Sequence, residues 1–112
     1  MFDIKAITKA VNTDIGQIQT IDFENLTSPR GNIVPNQFSV FVGGSSGNFK
    51  AFKSYSSLIA VKINGVMFFD QSKWDYSPTT LKYLKQWLGY TVTKKELVKA
   101  INEGQILLAD FN

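Results

Sequence analysis

The sequence predicts an α+β fold: a mostly antiparallel sheet of about five or six strands, with one helix before it and two after it. Three observations carry this expectation. Strand-like runs follow one another from residue 17 to residue 69, helix-period stripes follow them from residue 77 to residue 104, and Asn64-Gly65 sits between two β-rich runs as a two-residue hairpin turn. Strands in succession and then helices in succession pack helices onto an antiparallel sheet, whereas strict alternation would build a parallel one.

Asp3 is placed to cap a first helix in which Ile4, Ile7 and Val11 recur at i, i+3 and i+7, with Ala6 and Ala10 alongside and Lys5 and Lys9 facing out. Phe2 and Ile7 are spaced for a hydrophobic staple, and the helix stops near Asn12 and Thr13. Gln17 to Phe23 is rich in β-formers and reads as a strand, although its alternation slips between Ile18 and Ile21. Residues 24–36 carry Thr27-Ser28-Pro29-Arg30-Gly31-Asn32 and Pro35-Asn36, and read as one long loop. Phe38 to Val42 is almost wholly apolar, the pattern of a strand buried on both faces. The Gly43-Gly44-Ser45-Ser46-Gly47-Asn48 run lacks the spacing of a phosphate-binding loop and leads into a strand, so it reads as a flexible hairpin loop.

Phe49 to Tyr55, Leu58 to Ile63 and Val66 to Phe69 are the next strands, with Ile59, Val61 and Ile63 on one face. Ser77 before Pro78 is an N-cap with proline at N1, opening a helix whose Leu81, Leu84 and Leu88 form a stripe and whose Lys82, Lys85 and Gln86 turn outward until Gly89. Thr93 and Glu96 form a capping box for a last helix with Leu97, Ala100 and Ile101 on its apolar face, ended by Gly104. Ile106 to Phe111 closes the chain as a strand. No linker or repeat divides residues 1–112, which read as a single domain.

Composition bounds the chemistry. The chain contains neither cysteine nor histidine, so disulfides, thiolate nucleophiles and Cys-bearing zinc sites are excluded, as are imidazole ligands and bases. No cofactor, metal site or catalytic residue is expected. No apolar run reaches the ~18 residues of a membrane span. The net charge is +3, with the basic excess in residues 49–112. Asp70 and Asp75 flank Trp74, but a strand-to-helix connection uses such carboxylates to hold backbone N–H groups, and no second feature marks them as a catalytic pair.

Two binding surfaces are suggested. Lys50, Phe52 and Lys53 interleave aromatic and basic groups, the combination that stacks bases and neutralises phosphates, although period two puts Lys50 and Phe52 on one face and Lys53 on the other. Trp74, Tyr76, Tyr83, Lys82 and Lys85 cluster about the start of the basic helix, and Tyr and Trp near a surface are the usual anchors of protein interfaces. Trp87 is expected mainly in the core, with Tyr83 as the contact residue.

The stretch Ser54-Tyr55-Ser56-Ser57-Leu58-Ile59-Ala60-Val61-Lys62, the Asn-Gly hairpin, and then Trp74-Asp75-Tyr76-Ser77-Pro78-Thr79-Thr80-Leu81-Lys82-Tyr83 resemble an uncharacterised family of small phage proteins. The resemblance implies a phage or mobile-element origin and residence in the cytoplasm of an infected bacterial host. By analogy with small phage proteins that lack catalytic residues, it also implies a non-enzymatic accessory protein that binds and inhibits or redirects a host or defence protein, such as a CRISPR effector or restriction system. A small nucleic-acid-binding protein used in phage replication or regulation is the alternative. The positive net charge argues against DNA mimicry, which needs an acidic surface.

Overall fold

The computed structural model describes residues 4–89 and 91–112, so the Asp3 cap and the Phe2 staple lie outside the described residues. Helix α1 (Ile4–Ala10) leads into strands β1 (Ile18–Thr27), β2 (Ile33–Gly44), β3 (Asn48–Ser54), β4 (Ser57–Ile63) and β5 (Val66–Asp70). Helices α2 (Pro78–Trp87) and α3 (Lys94–Asn102) and strand β6 (Ile106–Ala109) complete it. The fold is α+β, as predicted. Its six strands lie in chain order, β1 to β5 antiparallel, with β6 parallel to β5 after the two-helix crossover.

The sheet has a core on each face. Val40, Val42, Phe49, Ala51, Val61 and Ile63 lie beneath Ile7 of α1 on the first face, and Phe52, Ile59, Ala60 and Phe69 lie beneath Leu84 of α2 and Leu97 of α3 on the second. The helix termini form as their local chemistry requires. Ser77 Oγ accepts the Thr80 N–H at 3.1 Å, and Thr93 and Glu96 exchange both bonds of the capping box, at 3.1 and 3.2 Å. Asn64 and Gly65 both have positive φ, 49° and 84°, the backbone of the expected hairpin turn. Asn64 also receives the Asn48 N–H at 3.2 Å, which ties that turn to the start of β3.

Several expectations are corrected. The loop expected over residues 24–36 is only residues 28–32, because β1 runs on to Thr27 and β2 begins at Ile33. Pro35 and Asn36 fall within β2 where the ladder skips, between the pairs Thr27–Ile33 and Asn25–Phe38, so the missing proline N–H costs no β1–β2 bond. The strand expected to be buried on both faces has Val40 and Val42 buried on the first face, while Phe41 is only half-buried on the second. Tyr55 leaves β3 for the β3–β4 turn at φ 55°, β6 stops at Ala109, and a register shift in β4 turns Ile59 to the second face, away from Val61 and Ile63.

Instead of a loose loop, the glycine-rich segment is a tied hairpin. The N–H groups of Gly44, Ser45 and Ser46 donate to the carbonyls of Gly47, Gln17 and Ile15, each at 2.9 Å, leaving none of the three for a phosphate. A Cβ at Gly44 would collide with the Ile15 carbonyl oxygen.

Candidate functional site

The surface residues expected from sequence are dispersed. Trp74 and Tyr83 are only 7% and 8% exposed; Trp74 packs on Phe69 with ring centroids 5.5 Å apart, so both fill the second-face core instead of presenting anchors. Tyr76 is exposed, with Lys73 Nζ 5.4 Å from its ring centroid, Lys82 is exposed beside the Tyr83 ring at 5.2 Å, and Lys85 is half-buried. Trp87 is the reverse of Tyr83: half-buried, its Nε1–H donating to Ser39 Oγ at 3.2 Å and its ring 6.2 Å from that of Phe52. Phe52 itself is fully buried and cannot stack a base, and Lys53 stands on the first face, 5.7 Å from the Phe38 ring centroid.

The flanking carboxylates take structural parts. Asp70 is fully buried and accepts the N–H groups of Ser72 and Phe111 at 3.2 and 2.8 Å, and the Ser72 hydroxyl at 3.1 Å. Asp75 pairs with Lys94 at 3.6 Å. Among the described residues no group of three or more Asp and Glu could hold a metal ion, and no helix is long and apolar enough to cross a membrane.

Two other surfaces stand out. The first is the outer edge of the sheet. Ile18, Ile21 and Phe23 on β1 are 41%, 58% and 50% exposed, and all three share the first face. The register shift between Ile18 and Thr20 is the reason: it absorbs the slip in the alternation and keeps Ile18 on the side of Ile21. Phe23 lies against Phe38, centroids 5.0 Å apart, and α1 does not reach them. On the opposite face the same strand carries Asp22 and Glu24. At its head, a groove of about 610 Å³ opens between α1 and β1, lined by Ile4, Thr8, Ile15 and Ile18 with Lys5 and Asp14.

The second surface is a cleft of about 410 Å³ on the second face, where α2 ends short of the sheet's far side. Phe41, Lys50, Lys62 and Met67 form its floor, Trp87 and Leu88 one wall, and Glu24 its rim. Lys50 and Lys62 are directly opposite each other across β3 and β4, both exposed, and among the described residues neither pairs with a carboxylate. Like charges so placed repel, which makes the cleft a ready receiver of negative charge.

Residues 21–104 match a family described as a family of unknown function (DUF8033). The chain belongs to that family. The matched segment runs from the apolar–acidic alternation of β1 to the glycine after α3, taking in β1 from Ile21 onward, β2 to β5 and both later helices while leaving α1, the first three residues of β1 and β6 outside. No curated protein and no solved structure matches the chain.

The β1 surface escapes a sequence reading that looks for dense aromatic and basic clusters. Its signal is the run Ile21-Asp22-Phe23-Glu24, apolar and acidic in strict alternation, in a strand with no lysine or proline. Edge strands are ordinarily blunted by charge, above all lysine, by proline or by bulges; on β1 the charge is acidic and confined to one face, and the register shifts lie outside residues 20–25.

Proposed function

We propose that this protein is a non-enzymatic accessory protein of phage type that works by binding a host or defence protein in the cytoplasm of an infected bacterium, and that it docks through β1. The observation that carries this reading is the exposure of Ile18, Ile21 and Phe23 together on one face of an edge strand, an apolar surface that a folded domain leaves open chiefly for a partner. Tyr76 and Lys82 on the opposite side are kept as secondary contacts, since both remain exposed. The experiment is a pull-down from host lysate, with nuclease added, comparing the wild type with an Ile21→Ser, Phe23→Ser variant. A protein retained by the wild type and lost by the variant, at unchanged melting temperature, supports the reading. Equal retention by both overturns it.

A second reading, binding of nucleic acid, is favoured by the facing Lys50 and Lys62 in a cleft walled by Trp87. It makes a distinct demand: affinity for single-stranded oligonucleotides should fall with a log–log salt slope of about −1.4 for two phosphate contacts. Absence of any salt-sensitive binding at low ionic strength ends it.

A further inference from the structure

We infer that β1 receives an added β-strand from the partner, and that the strand it fits is an extended segment alternating basic with apolar residues. This rests on the protein-binding reading above and specifies its chemistry. β1 is first in the strand order, so it has a neighbour on one side only. Its regular stretch, residues 20–25, lies between two register shifts and offers about three residues whose N–H and C=O both point away from β2, the alternation of an antiparallel ladder. The other edge, β6, is four residues long. β1 is ten.

The side chains say what kind of strand can lie there. In an added strand, directly opposed residues share a face. Positions opposite Ile21 and Phe23 therefore pack apolar side chains beside Phe38, and positions opposite Asp22 and Glu24 meet carboxylates, for which neither acid has an ion-pair partner among the described residues. Lys or Arg at those alternate positions complements them. At the end of the row, the groove at Ile18 continues the apolar surface toward α1.

The same charges argue against a second copy of this chain as the occupant. A two-fold antiparallel pairing of β1 with β1 that keeps one continuous sheet must oppose residues of the same face. Centred on residue 22, 23 or 24, it sets Asp22 or Glu24 against Asp22 or Glu24 of the other copy, and like charges directly opposite destabilise the pair. In those central registers one mechanism, the pair of acids, disfavours self-pairing and favours a basic strand.

The test uses the full chain, isotope-labelled, titrated with a ten-residue peptide of five Val-Lys repeats. Three comparison peptides are used: five Val-Glu repeats, the Val-Lys peptide with N-methyl groups on alternate residues, and its counterpart methylated on the other alternate set. The expected result is protection from amide exchange at alternate residues of 20–25, with binding at least tenfold tighter for Val-Lys than for Val-Glu and loss of binding for one methylated peptide only. An Asp22→Lys, Glu24→Lys variant should reverse the preference between the two charge types. Equal binding of both charge types, perturbation centred on the Lys50–Lys62 cleft, or a concentration-dependent dimer formed through β1 would overturn the inference. If the Ile21→Ser, Phe23→Ser variant loses a lysate partner while no peptide protects β1, strand addition fails and protein binding stands. If that variant keeps the partner, the protein-binding reading itself fails.

Discussion

Ile21, Val42, Phe49 and Ile63 stand side by side in one row across the first face of the sheet, and Phe23, Val40, Ala51 and Val61 form the next row. The members on β2, β3 and β4 are closed to solvent, whereas Ile21 and Phe23 on β1 are about half-exposed. Residue type does not separate the two groups. What separates them is cover: Ile4 and Ile7 of α1, together with Val11 and Ile15 after it, pack over the middle of the face and stop short of its edge. An apolar side chain on a strand is thus core or contact according to whether a second layer reaches it, and among the described residues none covers Ile21 and Phe23 on β1.

The sharpest way to break this contrast is to truncate matched rings in the two regions. Phe49→Ala should destabilise the protein by about 3–5 kcal/mol through lost burial and the cavity left behind, whereas Phe23→Ala should cost under ~1 kcal/mol. Denaturant melts of the two variants decide it, and similar losses would mean that β1 belongs to the core. Tyr83→Ala extends the comparison to the second face. Tyr83 is on the buried side of α2, so the change should cost about 3 kcal/mol and leave binding at β1 intact, read from a melt beside a binding assay.

Next in size is the β4–β5 turn. Replacing Asn64 and Gly65 by Val forces β-branched residues into positive φ and removes the Asn64 bond to β3, a loss of about 2 kcal/mol or more measured by thermal denaturation. An unchanged midpoint would show that the turn is not the one described. The smallest effect concerns the facing lysines. Lys62→Glu replaces a cross-strand repulsion with an attraction and should raise stability by a few tenths of a kcal/mol at low salt, with the gain fading as salt is added. A loss of stability at low salt would show that Lys62 makes a favourable contact in the free protein.

Legibility in the sequence follows the range of the interactions. Ser77-Pro78, the Thr93–Glu96 box and Asn64-Gly65 are readable because each is complete within four residues, and the structure keeps all three. The far half of the β1–β2 ribbon was hidden because its strandedness comes from pairing Asn25 with Phe38 and Thr27 with Ile33 across a turn, while Asn25, Pro35 and Asn36 taken singly disfavour strands. Tyr83 and Trp87 exchanged their expected places for a similar reason. A helical stripe fixes which residues lie together, but their burial depends on where the sheet's far side ends, and Trp87 falls at that limit with Ser39 as its partner. The apolar row on β1 carried its signal in plain view, yet nothing local distinguishes an edge strand from a central one.

The chain-order arrangement of the sheet also sets a sequence of events. Each of β2 to β5 meets its predecessor across a short connection, the longest being residues 28–32, so every step of the meander closes a small loop at small entropic expense. β6 must wait for residues 71–105 to fold back before it finds β5. The middle of the sheet and its β6 edge are therefore expected to separate in time, β3 and β4 pairing early and β6 docking late, after which Asp70 holds the Phe111 N–H and the Asn112 amide bonds both backbone groups of Leu58. Pulse-labelled amide exchange during refolding should find β6 the last strand to gain protection, and β6 protected in step with β3 and β4 would contradict that order.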